Sequence, residues 1–388
     1  MEWKKCTIGD ITILKNGKKR PSLAGNIPVY GGNGVMDYVS GYNNDNAIII
    51  GRVGAYCGCV HRSYGKCWVS DNAISVNAKE GNDVYFLYYL LKGINLNHHR
   101  IGGAQPLMTQ DIISRIEVNC PPLSTQCRIA SILSSLDRKI ELNNKINAQL
   151  EEMAQAIFKS WFVDFEPFKD GKFVESELGM IPEGWRVGTI KDIPHKIETG
   201  RRPKGGVGTI TEGIPSIGAE HVKGMGNFDY GKVKFIPKEY ANSLKSGKVD
   251  GYELLIYKDG GKPGYFIPNY CIFGEGYPYE VCYLNEHVFK LDFEVGRWYN
   301  VFCYFYFQTD YVMNYLNAQG GKAAIPGINK NDVESLLIFT PENEKVQEYG
   351  KLVLPFFTTI LKNLKANRDL SQLRDTLLPK LMNGEIEL

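Results

Sequence analysis

The chain has 388 residues, 43% hydrophobic and 23% charged, enough for two soluble globular domains that each bury a core. No apolar run approaches the ~20 residues of a membrane span, and Met1-Glu2-Trp3-Lys4-Lys5 lacks a signal-peptide core, so a cytoplasmic protein is expected. The net charge of +2 hides two local excesses: nine Lys/Arg against four Asp/Glu in residues 1–67, and fourteen against nine in 186–265. Each falls at the front of one half, which points to two polyanion-facing surfaces.

The opening Trp3-Lys4-Lys5-Cys6-Thr7-Ile8-Gly9-Asp10-Ile11 returns as Trp185-Arg186-Val187-Gly188-Thr189-Ile190-Lys191-Asp192-Ile193, an offset of 182 residues. Later, Asn147, Leu150, Met153, Ile157 and Phe158 answer to Asn367, Leu370, Leu373, Leu377 and Leu378, an offset of 220. The chain is a tandem duplication with shared ends, and the middle of its second half is longer by 38 residues.

Residues 1–120 hold short β-prone runs, Ile11–Leu14, Ala47–Ile50 and Ala73–Val76, punctuated by glycine. They read as a small mixed α/β domain with a strand-rich core. Val84–Leu91 reads as one packed helix. Nine cysteines, an odd number without repeated spacing, favour reduced thiols. Cys57, Cys59, His61 and Cys67 raise a zinc question, but the spacing is not a paired C-x₂₋₄-C and the second half has no counterpart, so no metal is expected.

After Pro121-Pro122, Ser124 or Thr125 can cap a helix over 124–163, a stretch without Gly or Pro. Its length of roughly 60 Å exceeds the width of a small domain. Apolar residues recur at helical spacing, and from Leu136 through Ile140, Leu150, Ile157 and Trp161 the steps alternate as in a coiled-coil seam. Asn143 and Asn147 fall at its centre, where a buried Asn costs stability but fixes register and partner.

The second half repeats this order: a Gly-rich globular stretch over 183–340, then a helical region opened by Pro341 and Asn343 and interrupted by Pro355. Ile360, Leu364, Asn367, Leu370, Leu373, Leu377 and Leu381 form its stripe. Neither long helix can bury its stripe alone. The economical arrangement pairs them antiparallel, with the two globular domains at opposite ends of a rigid spacer.

No phosphate-cradling glycine motif and no Ser, His and acid constellation stands out. Asn119-Cys120-Pro121-Pro122-Leu123 has a superficial likeness to the tetrapeptide of amino-methyltransferases but lacks its aromatic, and Asp164, Glu166 and Lys169 are wrongly spaced for a nuclease core. The residues favour binding over catalysis. Three pairs of loops carry the signal. Asn16-Gly17-Lys18-Lys19-Arg20-Pro21 matches Thr199-Gly200-Arg201-Arg202-Pro203-Lys204. Ile50-Gly51-Arg52-Val53-Gly54 matches Ile256-Tyr257-Lys258-Asp259-Gly260-Gly261-Lys262. Gly102-Gly103-Ala104-Gln105-Pro106, preceded by His98, His99 and Arg100, matches Gly320-Gly321-Lys322-Ala323-Ala324. Lysine suits a phosphate as a point charge, and arginine can also fork onto guanine.

In this combination the chain resembles the specificity subunit of type I restriction-modification systems. The marks are the Trp-x₃-Thr-Ile-x-Asp-Ile openings, the Gly-Gly-x₃ segments leading to Asp111-Ile112 and Asp332-Val333, and Pro-Pro-Leu-Ser-Thr-Gln before the first long helix. Asn147-x₂-Leu150 continuing to Ile157-Phe158-Lys159-Ser160-Trp161-Phe162, and Leu178-Gly179-Met180-Ile181-Pro182-Glu183-Gly184-Trp185, complete it. The resemblance implies an α/β (α+β) fold with target recognition domains at 1–122 and 185–341, spacer helices at 123–165 and 342–388, and a linker at 166–184. It implies that each domain reads half of a split, asymmetric double-stranded DNA site. The antiparallel coiled coil sets the gap and docks two modification subunits, through Leu136, Ile140, Asn143, Asn147, Leu150, Ile157, Trp161, Leu364, Asn367, Leu370 and Leu377. Restriction subunits join as further partners. S-adenosylmethionine, ATP and Mg²⁺ belong to the partners, and this chain carries no cofactor. Lys18, Lys19, Arg20, Arg52, His98, Arg100, Arg201, Arg202, Lys204, Lys258, Lys262 and Lys322 are the expected DNA contacts, mostly to phosphates. Asn33, Gln105 and one arginine per domain are expected at base edges. The competing classes are a DNA methyltransferase or nuclease with unrecognised motifs, and a coiled-coil assembly protein with no DNA role.

Overall fold

Both copies of Thr-Ile-x-Asp-Ile fold by the same local device. The amides of Thr7 and Thr189 donate to Asp10 Oδ2 at 2.8 Å and to Asp192 Oδ2 at 2.9 Å, and each threonine hydroxyl faces back to the aspartate three residues on. This capping box turns the chain and drives the intervening isoleucine inward. Ile8 and Ile190 are fully buried. Their amides donate to Ile116 O at 2.9 Å and Leu336 O at 3.0 Å, closing each half on itself.

The computed structural model describes residues 3–102, 106–262, 264–321 and 326–388. The chain divides into two compact units, Met1–Ile140 with Arg368–Leu388, and Glu141–Asn367. In the first, an antiparallel sheet runs in the order Thr12–Asn16, Ala73–Ala78, Ile48–Gly51, Val60–Arg62. In the second, the order is His195–Thr199, Val288–Phe293, Leu254–Tyr257, Asn269–Ile272, with the same directions. A second sheet accompanies each. Ala24–Gly31 pairs antiparallel with Gly34–Val39 and parallel with Lys66–Val69, just as Ile214–Ile217 pairs with Lys234–Ile236 and Tyr283–Leu284.

The continuous run Ile48-Ile49-Ile50 shows why these strands carry no polar alternation. Ile48 and Ile50 pack into the main core beneath helix Val84–Gly93, while Ile49 faces a second cluster with Cys67 and Val69. Both faces are covered, so both are apolar. In the second unit the covering helix is Arg297–Tyr306, and eight of its ten residues are buried.

The first long helix spans Leu123–Phe162 and the second Glu344–Met382. Within the second unit Asn143 Nδ2 donates to Asn367 Oδ1, and Asn363 Nδ2 to Asn147 Oδ1, both at 2.8 Å. One number rises as the other falls, so the helices run antiparallel. Within the first unit Arg374 Nη1 donates to Asp137 Oδ1 at 2.6 Å, and Leu381 shares a core with Ile129 and Leu133.

Three local expectations change. Pro355 does not interrupt the second long helix, which passes through it; Pro355 lies on the exposed face between buried Val353 and Phe357. There the carbonyl it leaves unpaired can be hydrated, and the helix continues. The first long helix begins at Leu123 rather than behind a Ser124 or Thr125 cap. The Pro122 carbonyl accepts the Thr125 and Gln126 amides, and Gln126 Nε2 donates to Pro121 O at 3.0 Å. Finally, residues 166–184 are folded: Phe173–Ser176 and Gly179–Pro182 form a hairpin whose Ile181 is buried in the second unit's core.

Candidate functional site

Glycine, not charge, explains where the first loop pair sits. A Cβ on Gly17 would lie 1.9 Å from the Ser70 carbonyl oxygen, and one on Gly200 would lie 1.6 Å from that of Leu284. In both units the loop presses backbone to backbone against the turn that precedes the sheet's second strand. In the first unit Gly17 N donates to Ala73 O and Arg52 N to Asn72 O, both at 2.9 Å, and Met108 N donates to Arg52 O at 2.8 Å. In the second, Lys258 N donates to His287 O at 3.0 Å and Ile328 N to Lys258 O at 2.8 Å. In each unit backbone bonds thus join the second loop to this turn and to a residue beyond the third loop, Met108 or Ile328, with Arg52 and Lys258 at equivalent rungs.

Lys18, Lys19 and Arg20 are exposed on this surface, and so are Asn33, at the turn between Ala24–Gly31 and Gly34–Val39, and His98 and Arg100. Arg20 is ion-paired with Asp37. Arg52 is half-buried, and its Nε has no hydrogen-bond partner. In the second unit Arg201, Lys204 and Lys262 are exposed. Arg202 Nε meets both oxygens of Glu286, at 2.7 and 2.8 Å. Lys258 is half-buried, with Nζ 5.0 Å from the Phe289 ring centroid. Gln105 and Lys322 lie outside the described residues.

Arg62 belongs to the basic excess of the first half yet contributes nothing to its surface. It is 7% exposed, its guanidinium stands 3.2 Å from the Tyr85 ring centroid, and burial pushes its pKa down. The residues that sequence reasoning missed are Glu286 and His287. His287 Nδ1 is 2.8 Å from Asp259 and Nε2 is 3.2 Å from Glu286, so the pair ties the Arg202 loop to the Lys258 loop. Burial opposes the charge on Glu286, but its backbone bond and Arg202 outweigh it and hold the carboxyl below the ordinary value. Their only sequence signal is position, between a short strand and the strand that fills the sheet.

Cys57, Cys59, His61 and Cys67 do not converge. Cys57 and Cys67 are buried in different clusters, and His61 Nε2 lies 3.0 Å from Gly32 O. Among the described residues no three His, Cys, Asp or Glu form a metal set, and all nine cysteines are free thiols.

On the long helices Asn143, Asn147 and Asn367 are buried at the seam, while Leu136, Ile140, Leu150, Leu364, Leu370 and Leu377 are half-buried. Phe158 and Phe162 occupy the core near the end of the first helix, and Ile157 and Trp161 pack beside them, half-buried. Here the helix enters an aromatic cluster that its partner helix joins through Tyr349: Phe158 stacks on Phe305 with centroids 5.9 Å apart, and Phe162 meets Phe302 edge-on at 5.1 Å and Tyr349 at 5.4 Å.

A family model described as the type I restriction modification DNA specificity domain matches residues 1–152. The type I restriction enzyme MjaIX specificity subunit of Methanocaldococcus jannaschii is 28% identical over 323 residues, covering 80% of this chain and 71% of that one. The HindI specificity subunit of Haemophilus influenzae is 28% identical over 334 residues, covering 73% and 72%. The S subunit of a type I restriction-modification system from M. genitalium, a solved structure, shares the fold with a TM-score of 0.67 at 16% identity, over 98% of this chain and 96% of that one. No helix among the described residues is long and apolar enough to cross a membrane. With its doubled fold and paired helices, the chain is similar to the specificity subunits of type I restriction-modification systems, and its residues 1–152 match their DNA specificity domain.

Proposed function

We propose that this chain is the DNA-reading subunit of a type I restriction-modification complex, each unit binding one half of a split double-stranded site. The observation that carries this is the repeated ladder, which sets a cation at the same rung of each unit, Arg52 and Lys258, beside an exposed basic loop. A protein that needed one basic patch would have no reason to keep two with the same backbone scaffold. Lysines hold phosphates and position the duplex, and the remaining polar groups read base edges. The paired helices act as the ruler for the unread gap and as the dock for two modification subunits, to which restriction subunits add. The chain itself is non-catalytic; S-adenosylmethionine, ATP and Mg²⁺ serve the partners.

The test exchanges residues 1–120 for those of another family member, assembles the full chain with its modification subunits, and maps methylated sites. One half of the site should change and the other persist. A change in both halves would defeat the reading, as would appreciable S-adenosylmethionine binding by the purified chain without partners.

A further inference from the structure

The turn at the centre of the ladder holds an acid in both units. Asp71-Asn72 and Glu286-His287 occupy equivalent places, since Asn72 O accepts Arg52 N and His287 O accepts Lys258 N. A carboxylate is out of place on a surface that only holds phosphates, because it repels them. It earns its position where it meets a hydrogen-bond donor.

The two acids are differently engaged. Both oxygens of Glu286 lie on Arg202 Nε, and the Arg202 carbonyl accepts the Tyr240 hydroxyl at 2.7 Å, so side chain and backbone are both held. The arginine side chain remains 34% exposed. With Nε taken, the fork left to present is the terminal Nη pair, which matches two acceptors on one base edge, the O6 and N7 of guanine. His287 bridges Glu286 to Asp259, at 3.2 and 2.8 Å, and fixes the carboxylate from its other side. Asp71 is exposed and forms no ion pair among the described residues, while Arg20 of the neighbouring loop is held by Asp37 instead. A free carboxylate in a groove accepts from an exocyclic amino group, as on cytosine N4.

We propose that the acid of this turn selects a base in each unit: Glu286 by aiming Arg202 at a guanine, Asp71 by accepting directly from a cytosine amino group. Glu286 is thus a positioning residue, and Arg202 and Asp71 are the contacts. The proposal rests on the DNA-reading function above.

The full chain, assembled with its modification subunits, is used to methylate a randomised plasmid library, and modified sites are read by sequencing for the wild type, E286Q, R202K and D71N. E286Q and R202K should relax the same single position in one half-site, with a loss of discrimination of roughly ten- to a hundredfold. D71N should relax one position in the other half-site only. An unchanged motif with E286Q in an assembled complex overturns the role of Glu286, and relaxation in both halves overturns the assignment by unit. If E286Q fails to assemble, R202K decides, since it keeps the turn intact; an unchanged motif there overturns the proposal. A wild-type complex that methylates no two-part motif would instead defeat the DNA-reading function itself.

Discussion

The two units share a backbone ladder and differ in what has been inserted between its rungs. The offset between equivalent residues is 183 at Gly17 and Gly200, 206 at Arg52 and Lys258, 215 at Asn72 and His287, and 220 at Met108 and Ile328. Most of the added length therefore falls between the first and second loops. There the second unit gains the short helical turns Ala219–His221 and Tyr230–Lys232 and the helix Lys238–Ser243. Val207 and Ala241 of the added segment pack against Ile236 of the second sheet in a cluster separate from the main core. Hydrogen-bonded backbone is what the duplication preserved, and side chains and insertions are where the halves diverged. Position is the shared property, and recognition is the variable one.

The sharpest way to break this comparison is at its glycines. Gly17→Ala and Gly200→Ala should each destabilise their own unit by about 3 kcal/mol, because a backbone carbonyl rather than a flexible side chain must yield. Urea unfolding with separate half-site binding would show it, and a tolerated alanine at either position would end the claim that the loops are equivalent. Next is charge. Replacing Lys18, Lys19 and Arg20 by alanine should lower the slope of log affinity against log salt by about 2, each phosphate contact contributing ~0.9. Arg20 adds little because Asp37 already neutralises it. A loss near 3 would show that Arg20 leaves Asp37 for DNA.

At the helix seam, Asn143→Leu should cost about 1–2 kcal/mol by removing the Asn367 partner from a buried site. Adding Asn367→Leu should recover that loss while loosening register. A double-mutant cycle by thermal unfolding measures both, and simple additivity would remove the asparagines' shared role. The smallest effect concerns the two capping boxes. Asp10 is held below the ordinary carboxylate value chiefly by the Thr7 amide, and Asp192 chiefly by the Thr189 hydroxyl. Their stabilisation is present above the unfolded value of ~4 and is lost as pH falls through the lower folded value. Asp10→Asn and Asp192→Asn should therefore flatten the acid limb of stability below about pH 4. Variants that keep the wild-type acid limb would show that the boxes set geometry alone.

What could be read from the sequence was local. The Thr-Ile-x-Asp-Ile opening recurs after 182 residues, the long-helix stripe repeats every three or four, and Gly17 and Gly200 precede cations in an order visible without coordinates. What escaped depends on separation. Arg202 and Glu286 are 84 residues apart, so no window of sequence joins them. The burial of Arg62 follows from Tyr85, which reaches it from a different element. Pro355 misled for another reason: the rule that proline ends a helix assumes a freed carbonyl without water, and on an exposed face that assumption fails.

The composition of the first unit has a kinetic consequence. Its core joins Ile8, Ile129 and Leu133 to Leu381, which is 1% exposed. During synthesis that core stays unfinished while some 240 further residues are made, tens of seconds at ordinary translation rates. The nascent first half thus carries apolar surface that the last helix covers only later. The first unit is completed by a helix made long after the rest of its core.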